Sequence, residues 1–369
     1  MALLLCRCSL GRVSAVCAYM LMCAAVAAQS PYISKVYEYR PAPGQFVNLM
    51  PEYTEGDTEE TMRAKAEGLL CNPDSGSICL GGWGGYVVFG FDHTVVNRSG
   101  EYDFRILGNA FYADKNDPTK GGSSEPGVVY VSRDDNGNGL PDDTWYELAG
   151  SEYQRSTRNY QLTYFRTPDD HKRTPKPTED LVDTTYILWR DLNGVRGYIT
   201  QNRYHLQNYW PQWIDAERMV FTGTLLPQNA VSYKEEGKTK YILHNYQYGY
   251  ADNHPNDQDG SKMNIDWAVN SKGEQVALSG IDFVKVQTGV NQQCGWIGET
   301  STEVAGAVDL HPKATPTSLA ETQHVVDNEY IVETEYIQSL QRSAKKVIID
   351  GRILIVHDGR TYDLSGQEQ

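Results

Sequence analysis

"GVVYVSRDDNGNGLPDDTWYELAG", residues 127–150, is the stretch from which the fold is read. Its ends, 127–133 and 144–149, are rich in Val, Tyr and Trp, the β-branched and aromatic residues that suit a pleated surface. Its middle holds Asn136-Gly137 and Asn138-Gly139, dipeptides that supply positive φ in turns. The stretch therefore predicts strand, loop, strand. The loop also has an internal register. With Asp134 at position 1, Asn136 falls at 3, Asn138 at 5, Gly139 at 6, Leu140 (offering its carbonyl) at 7 and Asp142 at 9. These are the first nine positions of an EF-type calcium loop, including its turn glycine. Position 12 is Trp145 where a bidentate Glu is expected, which leaves Asp143 or Glu147 to supply the missing oxygen. A plain wide hairpin loop is the competing reading. Four oxygen-bearing side chains in register favour structural calcium, at the weak affinity of extracellular modules, roughly 10⁻⁴–10⁻³ M.

The same pattern of short apolar runs bounded by Gly, Asn and Asp extends along the chain. Strands are predicted at 77–80, 85–91, 102–108, 127–133, 144–149, 160–166, 185–190, 219–225, 240–247, 265–269 and 281–288. One helix is predicted, "TEETMRAKAEGLL" at 58–70, with Thr58 as cap and Glu59 and Glu60 in its first turn. The fold class is therefore all-β: a jelly-roll-like β-sandwich with long loops and one short helix. The polar, Pro-rich insert 166–180 reads as a surface loop.

The first 28 residues read as an export signal: Arg7 and Arg12, an apolar run, then small residues around Ala25–Ala28. Residues 29–311 form the sandwich domain, 312–339 a linker, and 340–369 a small β tail with Asp-Gly turns at 350–351 and 358–359. The chain carries a net charge of −15, and Arg7 and Arg12 are the only charges in the signal, so the exported part stands at −17. Such a surface excludes nucleic acid as a partner and suits cations and neutral ligands. Four of the seven cysteines fall in the signal. Cys71 and Cys79 flank a short loop and are expected to pair in an oxidising compartment, which leaves Cys294 free.

Several segments resemble a family of secreted Bacteroidota cell-surface proteins: "GGWGGYVVFGFDHTV", "SSEPGVVYVSRDDNGNGLPDDTWYELAGSEY", "YWPQW", "YGYADNHPN", "IDWAV" and "GIDFVKVQTGVNQQCGWIGETSTEV", spanning residues 80 to about 310. The C-terminal tail is similar to type IX sorting tails through Gly351, Asp358, Gly359, Tyr362, Asp363 and Gly366. The resemblance implies export to the cell surface and an accessory role beside an outer-membrane uptake system. It implies no catalytic residue.

Zinc spacing of histidines, HExxH, G-x-S-x-G and a phosphate loop are all missing from the sequence. The ligand contact predicted from sequence is the loop "NYWPQW", with Tyr209, Trp210 and Trp213, because Pro211 makes it a loop and its rings suit a sugar face or a cofactor ring. "ADNHPNDQDGSKMNID" (Asp252, Asn256, Asp257, Asp259, Asp266) is a secondary cation candidate. Carboxylates such as Asp92, Asp103, Glu125, Asp266, Asp282 and Glu299 are read mainly as strand-entry devices, although two of them meeting in space would suit a glycosidase. The expected function is non-catalytic binding of a glycan or corrinoid-like nutrient. An extracellular polysaccharide hydrolase and a purely structural surface protein are the alternatives.

Overall fold

The computed structural model describes residues 29–72, 75–173 and 180–314, and the backbone of three C-terminal strands. The segment 1–28 read as an export signal and residues 315–339 of the predicted linker lie outside the described residues. The chain is an all-β sandwich with a single α-helix among the described residues. The main sheet runs in the order Lys35–Arg40, Tyr86–Val96, Gly280–Thr288, Gly127–Ser132, Trp145–Leu148 and Ala268–Val269, and Tyr250–Ala251 also pairs with Gly127–Ser132. A four-stranded sheet packs against it: Arg196–Asn202, Leu181–Asp191, Thr157–Phe165 and Arg218–Leu225. Phe89, Val129, Val284 and Val286 of the first sheet join Leu162, Tyr164 and Phe221 of the second in one buried core. The core is closed by Trp83, whose indole donates to the Thr224 carbonyl at 3.3 Å. In "GGWGG", a Cβ on Gly85 would lie 1.8 Å from the Leu80 carbonyl oxygen, so the turn entering strand Tyr86–Val96 requires glycine there.

Each of the eleven predicted ranges contains a strand, although in 265–269 it is only Ala268–Val269, after a 3-10 turn at Ile265–Trp267. Three longer strands escape the sequence reading. Lys35–Arg40 has a bulge between Val36 and Glu38, which breaks the period-2 alternation. Arg196–Asn202 and Ala230–Glu235 are the partners of predicted strands, and most of Ala230–Glu235 is exposed, so it shows no apolar face. The helix spans Glu59–Leu70 with Thr58 as cap, and Met62, Ala66 and Leu70 form its buried stripe. The tail is a three-stranded antiparallel sheet, Lys345–Ile349, Arg352–His357 and Arg360–Tyr362. Its registers, Ile349 with Arg352 and His357 with Arg360, leave two-residue connections at the Asp-Gly pairs, which themselves lie outside the described residues.

The predicted disulfide is corrected. Cys71, Cys79 and Cys294 are free thiols. The Cys79 thiol is buried and instead donates to Ser301 Oγ and accepts from the Gly81 N–H, both at 3.3 Å, while Cys71 sits at the C-cap of the helix.

Candidate functional site: an aromatic cleft over a buried carboxyl cluster

Three of the motifs quoted above converge at one place. Glu125 of "SSEPG" precedes strand Gly127–Ser132, and its N–H donates to the Asp252 carbonyl at 3.0 Å. Asp252 of "YADNH" has φ 50°, a left-handed conformation that Asp tolerates better than most residues. Its carboxylate accepts the N–H groups of Asn109 (2.8 Å), Ala110 (2.9 Å) and Glu303 (3.0 Å). This approach is possible because residue 108 is glycine: a Cβ there would stand 2.3 Å from Asp252 Oδ1. Glu303 of "STEV" accepts from Ser301 Oγ at 2.8 Å and from Asn109 Nδ2 at 3.3 Å. Carboxylate oxygens of Glu125, Asp252 and Glu303 lie within 4.8 Å of one another.

Such a spacing suits a hard cation. The hydrogen bonds point elsewhere, however. Each oxygen of Asp252 and Glu303 already accepts a donor. Three carboxyls this close repel one another when all are ionised, so the arrangement favours protonation. Burial, reinforced by the fields of Glu303 and Asp252, raises Glu125 well above the usual carboxyl range. Burial, then Asp252, pushes Glu303 up to about 8. Burial raises Asp252 to about 7 against its three N–H donors. All three shifts run the same way, toward the protonated carboxyl.

Glu125 and Ser301 also line a cleft of about 490 Å³. Its walls include Phe46, Phe111, Tyr204, His205, Tyr233, Tyr241 and Trp296. Four of these rings are well exposed: Tyr204 at 63%, Phe111 at 59%, and Tyr233 and Trp296 at 45% each. Tyr204 meets Trp296 edge to face at 6.3 Å, and Phe46 meets His205 at 4.6 Å. Leaving four large rings in water around one concavity forgoes burial that each would gain in the core.

The structure puts the predicted ligand contacts elsewhere. Tyr209, Trp210 and Trp213 are buried, at 0, 2 and 8% exposure. Asn48 explains why a Pro-containing loop folds inward. Its amide donates to the carbonyls of Asn208 (2.6 Å) and Trp210 (2.9 Å), and its oxygen accepts the Gln212 N–H (3.0 Å). It thus replaces the water that a loop backbone usually needs.

The secondary cation loop does not gather its acids. Asp257 and Asp259 are exposed, Asp259 pairs with Lys262 at 2.6 Å, Asn256 is held by the backbone of Gly108, and Asp252 belongs to the carboxyl cluster. Of the carboxylates noted from sequence, Asp103 and Asp282 act as strand-entry acceptors. Asp103 takes the N–H groups of Arg98 and Ile265, and Asp282 takes the Thr94 hydroxyl and the Asp134 N–H.

The loop 134–143 does bring its predicted side chains together. Gly137 and Gly139 both have φ 73°. Asp134 accepts the N–H groups of Asn138 (3.0 Å) and Gly139 (2.8 Å). The amides of Asn136 and Asn138 donate to the two oxygens of Asp142 at 3.0 and 2.9 Å, which lowers the Asp142 pKa. Neither candidate for the missing ligand joins them. Glu147 is turned to Thr224 Oγ1 at 2.6 Å, and Asp143 accepts the Asp135 N–H.

Compared with family models and with curated proteins, the sequence finds no match.

Proposed function

We propose that the protein is an exported, cell-surface, non-catalytic binding protein whose aromatic cleft takes a neutral glycan, as an accessory to nutrient capture by an outer-membrane uptake system. The observation that carries this reading is the ring of exposed aromatics around Glu125. Rings stack on the apolar faces of sugars, and carboxyl groups accept or donate hydrogen bonds to their hydroxyls. The cleft volume lies within the range of small-ligand sites and suits a sugar unit or two. It is small for a corrinoid.

A hydrolase is the second reading, because Glu125, a carboxyl with a raised pKa, sits in the cleft wall with Glu303 behind it. The surroundings of Glu303 argue against it: glycosidase carboxyls flank the scissile bond on its two faces, whereas Glu303 is buried and both its oxygens already accept from Ser301 and Asn109. Affinity electrophoresis against plant and mucin glycans distinguishes the readings: a binder is retarded by the polymer, and a hydrolase shortens it. Trp296→Ala and Tyr204→Ala are each expected to weaken retardation about tenfold, or ~1.4 kcal/mol. The melting temperature should hold, since both rings are exposed. Unchanged retardation in the double variant would refute the cleft as the binding site, and release of shortened glycan would favour the hydrolase.

The proposal keeps a structural calcium ion on Asp134, Asn136, Asn138, the Leu140 carbonyl and Asp142, supported by the convergence of these side chains. Calcium would pin the loop joining two adjacent strands of the main sheet. Millimolar calcium is expected to raise the wild-type melting temperature by a few degrees, and the Asp134→Ala/Asp142→Ala variant should lose that gain. An equal calcium response in both proteins would overturn the assignment.

A further inference from the structure

A second cavity, of about 300 Å³, lies between the two sheets and shares no lining residue with the aromatic cleft. Three side chains give it its chemistry. Glu147, Tyr130 and Lys285 stand side by side across three neighbouring strands, Tyr130 opposite Glu147 on one side and opposite Lys285 on the other. Arg158 reaches the same space from strand Thr157–Phe165 of the second sheet.

Both cations are held by rings rather than by acids. The Lys285 ammonium lies over Tyr86 at 4.2 Å and Tyr130 at 5.5 Å, and the Arg158 guanidinium over Tyr153 at 4.8 Å. Among the described residues, neither is in ion-pair contact with a carboxylate. Glu38, whose field reaches Lys285, is engaged by the Tyr86 hydroxyl at 2.8 Å. Glu147 is near enough for the Arg158 field to act on it, but its Oε2 accepts Thr224 Oγ1. Two cations and one acid, Glu147, thus line this cavity. Ring faces compensate only part of a cation's lost hydration.

We propose that this inter-sheet cavity binds a small organic carboxylate carrying a hydroxyl or amino group, its carboxylate on Arg158 and Lys285 and its donor on Glu147. Arg supplies a planar fork and Lys a point charge, the two cationic modes of carboxylate recognition. Glu147, as the one acid in the cavity wall, accepts the hydroxyl or ammonium of the same molecule. An acidic sugar and an amino acid share this chemistry.

Isothermal titration with D-glucuronate, L-glutamate and D-glucose tests it on the intact protein. Saturable binding of glucuronate, of glutamate or of both, with at least tenfold preference over glucose, is expected. Which of the two wins names the source. Lys285→Met together with Arg158→Gln should weaken that binding at least tenfold. A wild-type readout stands beside it: the bound carboxylate should slow acetylation of Lys285, followed by mass spectrometry. Absence of carboxylate binding up to about 10 mM, equal affinity for glucose, binding unaltered in a folded double variant, or unprotected Lys285 would each overturn the proposal.

Discussion

Trp210→Ala is expected to destabilise the protein by about 3–5 kcal/mol, the usual cost of emptying a buried tryptophan site. At this chain length that corresponds to a fall in melting temperature on the order of 10 °C. The ring is 2% exposed, and its indole N–H donates to the Ile214 carbonyl at 3.2 Å. The neighbouring Trp213 stacks on Tyr39 and Tyr53, with centroids at 6.1 and 6.3 Å, so the loop is part of the core wall. Collapse of the loop into the hole is limited, because Asn48 clamps its backbone from both sides. Trp296→Ala, at a 45% exposed ring, should leave the melting temperature within about 1 °C, within the range of surface substitutions. Thermal denaturation of the two variants therefore separates a core tryptophan from a cleft tryptophan. Equal melting temperatures for Trp210→Ala and the wild type would show that the loop is not buried as described.

The second large effect is on pH. Glu299 is 2% exposed, and burial pushes its pKa up to about 8. Its Oε1 accepts the Gln45 N–H at 2.6 Å, and its Oε2 is buried without a partner. Glu303, also pushed up to about 8, and Asp252, to about 7, shift the same way. All three hold their protons more tightly folded than unfolded. The stabilisation is therefore complete below the ordinary carboxyl range and is lost as pH rises toward 8. A shift of the Glu299 size is worth on the order of 5 kcal/mol. The melting temperature should fall by several degrees between about pH 5 and 8.5. Glu299→Gln keeps the acceptor for Gln45 and removes the titration. It should melt like the wild type at pH 5 and above it at pH 8.5. A pH profile parallel to the wild type would show that Glu299 is ionised in the fold at neutral pH.

Local chemistry made much of the fold legible. The helix could be read because Thr58, the acidic first turn and the 62–66–70 stripe all lie within thirteen residues. The hairpin around 134–143 could be read because its turn glycines and its strands are contiguous. The missed strand Lys35–Arg40 shows the limit, since a bulge hides its alternation from a period-2 reading. The candidate site was legible only in fragments. Glu125 and Asp252 stood out separately and Glu303 not at all, although all three lie in segments quoted for the family resemblance. A faint signal was Gly108, whose missing side chain makes room for Asp252 from 144 residues away.

By itself the sequence determined the all-β class, the positions of most strands, the capped helix and the meeting of Asp134, Asn136, Asn138 and Asp142, because each depends on neighbours a few residues apart. Tertiary structure alone decided which carboxyls meet, which tryptophans are core, that Cys79 bonds Ser301 rather than Cys71, and where the two cavities open. Those outcomes rest on contacts between segments far apart in the chain. Burial and the meeting of carboxyls are properties of the space between segments, and that space exists only once the sheets have packed.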